Sequence, residues 1–416
     1  MIWLYNIFIF LYSIAIRIAA FWNPKAKQWI EGRKDVWNNL RDNLPESTNT
    51  VWFHASSAGE LEQAKPLIKA IKESFPSHKI LISIYSPSGY RAARNYAYAD
   101  FVFYLPLDTK RNANRLLTLI RPQLVVVVKY DYWYHLLKSI CAKNIHLILV
   151  SAVFRESQPF FKWYGSLYNK MLSFFNQLFV QDATSMYLLQ KLGISTGHIS
   201  GDTRFDRVSE IAEDFMPLAF IKEFIGNNKA MIAGSTWPDD EELIKDVLAN
   251  FVDIKFIIAP HEINATHLNQ LKRTFPQAIF YSELKSLEIG FTDVQVLIID
   301  NVGMLSRLYY YGDIAFIGGG FTKSGIHNAL EAAVFGKPVI FGPNYQKYSE
   351  AVSLIDRGGA YSVSTKQGFT DLFNTLISDS NAYQQAGTES LNYIREQRGA
   401  TKKILSYIQE NRLLTS

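Results

Sequence analysis

A single cysteine, Cys141, occurs in this chain of 416 residues. That scarcity excludes a disulfide framework and a cysteine-rich zinc site, and it suits a reducing compartment. Cys141 falls in the apolar helical stretch 136–142 and is expected to be a buried packing residue rather than a nucleophile. His54, His261 and His327 lack the close spacing of a dedicated metal site. The chain also lacks short internal repeats, low-complexity tracts and a G-x-G-x-x-G loop, so nothing argues for a dinucleotide. Charge of one sign is missing too: the net charge is only +5, and its distribution matters more than its sum.

What is present is apolar sequence in quantity. A composition 48% hydrophobic and 14% aromatic gives a chain of this length enough core for two domains. The first 22 residues, MIWLYNIFIFLYSIAIRIAAFW, are apolar apart from Asn6, Ser13, Arg17 and the tyrosine hydroxyls. Such a helix is long enough to reach across a bilayer only if Arg17 snorkels to the interface. Lys25, Lys27, Arg33 and Lys34 follow and favour keeping the remaining chain cytoplasmic. No basic region precedes the apolar run and no small-x-small site closes it, which disfavours a cleaved signal peptide. Membrane attachment is expected; the competing reading is an amphipathic helix buried against the protein.

From residue 42 onward short β-rich runs alternate with helical ones: VWFH, ILISIY, FVFYL, LVVVV and HLILV, each followed by helical sequence. The run Leu124 to Val128 is apolar at every position, as a strand covered on both faces must be. The pattern restarts after STGHISGDTRFDRV, with strands predicted over 229–233, 255–259, 294–299, 314–317 and 338–341. The expected fold is α/β: two Rossmann-like domains with a membrane-anchoring helix in front. The predicted boundaries are 1–22 for the anchor, 23–206 for the first domain and 207–416 for the second, the last helix returning to the first. Ligands of such sheets bind beyond the carboxyl ends of the strands, so the cleft between the domains is where a site is expected.

Three turns carry the chemistry. In DIAFIGGGFTKSGIHNALEAAVFGKPVIFGP a strand ends in Gly318, Gly319 and Gly320, and Asn328 is expected to open a helix. Glycines let a ligand approach the backbone, and the free N–H groups of a helix start suit a phosphate. His327 and Asn328 stand at that terminus, and Glu331 on its first turn suits ribose hydroxyls. In MIAGSTWPDDEELI, Ser235 and Thr236 make a second anion site between strand and helix. The acids from Asp239 to Glu242 are attributed to the helix macrodipole. In VWFHASSAGELEQAKPLIKAI, Glu60 sits on the first turn after a short strand. It is either a general base or the partner of Ser57 in a capping box, and these residues alone leave both open.

The stretches FHASSAGELEQAKPLI, SPSGYRAA, YLPLD, SAVFRES, GDTRFD, AGSTWPDDEELI and the glycine loop, in this order, resemble the 3-deoxy-D-manno-octulosonate (Kdo) transferases of lipid A assembly over nearly the whole chain. The resemblance implies a GT-B fold at the cytoplasmic face of the inner membrane. It implies inverting transfer of Kdo from CMP-Kdo to the 6-hydroxyl of a lipid A precursor, with no metal, no cofactor and no nucleic acid. Glu60 matches the family's catalytic base. Gly318, Gly319, Gly320, His327, Asn328 and Glu331 match its CMP-binding segment, and Ser235 with Thr236 its phosphate-side turn. His261 carries over from the family's Pro-Arg-His. Where the family commonly has Glu-Thr-Glu-Leu-Trp-Pro this chain has KYDYWY, so Asp131 is taken as the second acid and Lys129 as a contact for the donor carboxylate or an acceptor phosphate, with Ser57 beside the acceptor. Gly303, Met304 and Leu305 replace the usual Gly-Glu-Leu. Competing expectations are another GT-B enzyme, an epimerase or UDP-sugar transferase, and a membrane-bound binding protein without catalysis.

Overall fold

The computed structural model describes residues 2–46, 49–286 and 294–415. The chain divides into two compact units, residues 1–207 with 398–416, and residues 208–397. Each is built on one parallel sheet of seven strands.

In the first unit the strands are β1 (Thr50–Ala55), β2 (Lys79–Ile84), β3 (Phe101–Tyr104), β4 (Leu124–Val128), β5 (His146–Ala152), β6 (Gln177–Val180) and β7 (Gly197–Ile199). Their order is β3-β2-β1-β4-β5-β6-β7. All five residues of β4 are buried, and its neighbours β1 and β5 carry Val51, Phe53, Ile148 and Val150 into the same core. Each such side chain contributes roughly 1.5–3 kcal/mol when removed from water, which outweighs the weak local preference of any one residue. The chain winds outward from β1 in one direction and from β4 in the other. The switch point of the sheet is therefore between the ends of β1 and β4, where Ser56 and Lys129 begin the next segments.

The second unit repeats the logic with β8 (Lys229–Thr236), β9 (Ile254–Pro260), β10 (Ile279–Phe280), β11 (Val296–Ile298), β12 (Ile314–Ile317), β13 (Val339–Phe341) and β14 (Ala360–Ser362). The order β10-β11-β9-β8-β12-β13-β14 puts its switch point between β8 and β12. Ser235 and Gly318 stand at that point. Four strands escaped the hydrophobic pattern, β6, β7, β10 and β14, each of four residues or fewer. The helical sequence expected after HLILV is a 3₁₀ turn at Pro159–Phe161 and a short helix at Ser166–Leu172.

The last long helical stretch breaks at Gly399, whose φ of 115° suits only glycine. Asp206 accepts hydrogen bonds from the amides of Gly399 and Thr401 at 2.5 and 2.7 Å. The final helix, Ala400–Glu410, buries Ile404 and Ile408 in the core beside β1 and β4. At the other terminus, helix Ile2–Ala19 buries only Ile9 completely. Trp3, Leu4, Ile7, Phe8, Phe10 and Leu11 remain exposed. Cys141 is exposed near the end of helix Tyr134–Ala142, which corrects the expectation of a buried thiol: the inward face is taken by Leu136, Leu137 and Ile140.

Candidate active site

In the first unit β1 delivers Ser56 and Ser57 to the sheet's switch point, and helix Ala58–Ser74 begins at once. A capping box would have the Ser57 hydroxyl accept from the Glu60 amide. No such bond forms; the Ser57 hydroxyl instead donates to Glu60 Oε2 in a close contact. Glu60 is half-buried, and its Oε1 has no partner among the described residues. The carboxylate is thus oriented from one side and free on the other.

Ser56, one residue earlier, donates to Asp131 Oδ2 in a similar close contact. Asp131 follows β4 after Lys129, a non-glycine residue at φ 64° whose amide donates to the Val150 carbonyl at 2.9 Å. This left-handed residue turns the chain back over the switch point. His54, buried in β1, brings Nε2 to 2.9 Å from Asp131 Oδ2, an ion-pair distance without hydrogen-bond alignment. Its Nδ1 lies 2.7 Å from the Ser83 hydroxyl, which also accepts from the Trp52 indole at 2.8 Å. Nδ1 also lies 3.2 Å from the Ser83 carbonyl oxygen, so the buried ring is held by one residue on the side away from Asp131. The Lys129 ammonium sits 5.5 Å from the Tyr130 ring.

In the second unit Ser235 has φ 55° and interrupts the β8–β9 register, a bulge that brings its side chain to the sheet end. The Ser235 hydroxyl has no partner among the described residues. Thr236 does not present its hydroxyl outward: it is buried and donates to Glu241 Oε1 at 2.9 Å, and Glu241 Oε2 meets His267 Nε2 at 2.9 Å. The acids of this helix therefore do more than answer its dipole. Asp240, wholly buried, accepts through Oδ2 from the amides of Trp237 and Gly319, both at 2.8 Å, and ties the two turns together. Burial pushes its carboxyl up to about 6.

Two of the glycines are also required by the packing of the turns. A Cβ on Gly318 would lie 2.3 Å from the Ser235 carbonyl oxygen, and one on Gly320 would lie 2.4 Å from the Gly342 nitrogen. They permit backbone to pack on backbone, and Gly319 turns at φ 90°. The predicted helix is one turn, Leu330–Ala333, so its N-terminus is a weak dipole. Asn328 accepts from the Leu330 amide at 3.2 Å and donates to Glu331 Oε1 at 3.0 Å, pre-orienting that half-buried carboxylate. Above the turn, His261 is exposed and stacks on His327 at 4.2 Å and on Trp237 at 4.9 Å between ring centroids. Trp237 Nε1 donates to His327 Nε2 at 3.2 Å. Burial, with His261 adding to it, lowers His327 to about 4, and burial also lowers His261.

Within the first unit the fold brings together Ser57, Glu60, Lys129 and Asp131. Within the second it brings together Ser235, His261, His327, Asn328 and Glu331, over a frame of Thr236 and the three glycines. Sequence reasoning missed His54, Ser56, Trp237 and Asp240. Only the nearness of Trp237 and Asp240 to the Ser-Thr turn pointed their way.

Comparison with known proteins gives the same direction. Residues 17–207 match the family model described as 3-deoxy-D-manno-octulosonic-acid transferase (kdotransferase). A 3-deoxy-D-manno-octulosonic acid transferase of Haemophilus influenzae is 25% identical over 93% of this chain and 92% of its own. A bifunctional glycosyltransferase/methyltransferase of Fusobacterium nucleatum is 27% identical over 97% of this chain, which spans only 62% of that longer protein. In fold, the chain is similar to UDP-GlcNAc 2-epimerase from Neisseria meningitidis, with a TM-score of 0.62 at 15% identity, covering 87% of this chain and all of the epimerase. The chain is thus similar to Kdo transferases over most of its length, residues 17–207 match that family's model, and its fold is GT-B.

Proposed function

We propose that the protein transfers Kdo from CMP-Kdo to the 6-hydroxyl of a lipid A precursor with inversion. Glu60 takes the proton of that hydroxyl, the oxygen forms a bond to the anomeric carbon of Kdo, and the bond from that carbon to the CMP phosphate oxygen breaks. The carrying observation is the bond from Ser57 to Glu60, which replaces the helix cap and leaves one carboxylate oxygen for an incoming hydroxyl. Asp131, held by Ser56 beside His54, is the second acid and accepts from the acceptor sugar. Lys129 meets the Kdo carboxylate or an acceptor phosphate.

The second unit holds the leaving nucleotide. Ser235 and His327 contact the phosphate and Glu331 the ribose hydroxyls, with His261 on the ring stack and Asn328 orienting Glu331. Preorganised donors of this kind stabilise charge as it develops on the departing phosphate.

The N-terminal helix attaches the enzyme to the cytoplasmic face of the inner membrane, and its contacts favour lying in the interface over spanning. Tyr5 donates to Asp108 at 2.6 Å, Asn6 meets His135 Nε2 at 2.6 Å, and Tyr12 packs on Trp29. A spanning helix would lose these bonds, whereas an in-plane one keeps them and buries its exposed apolar face in lipid.

The test is transfer of Kdo to tetraacyl disaccharide bisphosphate, with CMP-Kdo generated in place and products resolved by mass, for the parent and Glu60→Gln. Addition by the parent with a loss of roughly 100- to 10,000-fold in the variant is expected. Equal activity of both would make Glu60 a structural residue. An inactive parent that binds UDP rather than CMP would favour a uridine-dependent enzyme.

A further inference from the structure

His327 is the ring that the nucleotide-side reading depends on, and its protonation is decided by a neighbour with no assigned role. A neutral imidazole has one donor and one acceptor nitrogen, and which is which follows from the bond each makes. The indole of Trp237 has a proton to give and no lone pair to offer in the ring plane. Its Nε1 lies 3.2 Å from His327 Nε2. That nitrogen must accept, so the proton of His327 resides on Nδ1. Both rings lie under His261, tilted from it by 24° and 28°, so the edge-to-edge pair is held from one face as well. The Trp237 backbone is fixed in turn, since its amide donates to the buried Asp240 carboxylate that also binds Gly319.

Nδ1 of His327 has no hydrogen-bond partner among the described residues, and His327 is only partly buried. The pair therefore presents a single N–H outward. A second proton on Nε2 would face the indole N–H directly. His261, stacked against it, would repel the cation further.

We propose that Trp237 is a positioning residue that locks His327 as the Nδ1–H tautomer, making it a neutral hydrogen-bond donor to the anionic leaving group rather than a cation that pairs with it. The proposal rests on the reading of the second unit as the nucleotide side. It implies that this contact recognises phosphate by geometry, and that the product is not held by a charge pair at His327.

Two measurements test it, on the full chain. The first is the ¹⁵N spectrum of histidine-labelled protein without ligand, His327 being assigned by its disappearance in His327→Asn. The parent is expected to show a protonated Nδ1 and an unprotonated Nε2 across neutral pH. Trp237→Phe, which keeps a ring under His261 and removes the donor, is expected to show mixed tautomers and a His327 that titrates closer to its ordinary range. An unchanged tautomer in that variant overturns the proposal. The second is calorimetry with CMP. An asparagine amide nitrogen falls near the place of Nδ1 and a glutamine amide nitrogen near that of Nε2. His327→Asn should retain affinity within roughly threefold, while His327→Gln loses roughly 10- to 100-fold, the range for a bond to a charged group. The reverse order overturns the assignment of Nδ1 as the donor. If the parent does not bind CMP, the nucleotide reading falls, and the spectrum still decides the tautomer independently.

Discussion

The two switch points use similar parts to opposite ends. Each has a tryptophan linked to a histidine, by way of the Ser83 hydroxyl in the first unit and directly in the second, and each has carboxylates close by. In the first unit Glu60 is half-buried and Asp131 is 12% exposed, each held by one serine hydroxyl. In the second, Asp240 and Glu241 are buried and committed to amides, Thr236 and His267, so beside the Ser-Thr turn it is a serine hydroxyl and an imidazole that face outward, with the half-buried Glu331 carboxylate held by Asn328. On the proposed division of labour, a site that takes a proton needs a carboxylate within reach of the substrate, and a site that receives a phosphate gains from having its nearest carboxylates committed elsewhere.

The largest effect that would sharpen this contrast is a split between chemistry and binding. Glu60→Gln is expected to lower transfer by roughly 100- to 10,000-fold while CMP affinity, measured by calorimetry, stays at the parent's value. His327→Gln should do the reverse in emphasis, weakening CMP first. If both variants lower both quantities equally, the division of labour is wrong.

The next effect concerns the glycines of the two turns. Gly320→Ala forces a Cβ to 2.4 Å from the Gly342 nitrogen, backbone against backbone, and should cost about 1–3 kcal/mol or more. Gly59→Ala meets only the Ser57 oxygen at 3.8 Å and should be neutral or stabilising by up to about 1 kcal/mol. Chemical denaturation of the two variants against the parent measures this. Equal losses would mean that the glycine of the first turn also serves close packing.

The comparison has a titration consequence of similar or smaller size. Asp240, raised to about 6, still holds a proton in the folded chain where an unfolded carboxyl has lost it, so its contribution falls as pH rises from about 4 to 6. His327, lowered to about 4, is the opposite case: the unfolded ring binds the proton first, and stability rises over the window from about 4 to 6.5. The two slopes oppose each other in the parent. Asp240→Asn removes the falling one, so its stability should rise with pH across this window by up to roughly 3 kcal/mol more than the parent's. Urea midpoints between pH 4 and 7 check the sign, and parallel curves would show that Asp240 does not titrate there.

Much of the architecture was legible because buried parallel strands must be apolar throughout. LVVVV at 124–128 and FIIA at 256–259 admit little else. The short strands β7, β10 and β14 were illegible for the complementary reason: they lie at or near sheet edges, carry two or three residues each, and are defined by pairing rather than by composition. The candidate turns were legible as small-residue breaks between strand and helix. What their residues do was not, because Thr236 and Asp240 read as surface polar residues at a helix start and only their burial redirects them.

The sequence by itself determined two parallel α/β units, the apolar N-terminal helix and the positions of the turns, since periodicity and strand-to-helix punctuation are local properties of the chain. Tertiary structure alone decided which face of that helix is bonded to the protein, that Gly318 and Gly320 admit neighbouring backbone, and that Trp237 meets His327. Those outcomes depend on which groups meet across 70 to 130 residues of chain, as Tyr5 meets Asp108, Asp240 meets Gly319 and Trp237 meets His327. The geometry of a hydrogen bond is fixed by the sheet order that brings its partners together, and no window of sequence contains both.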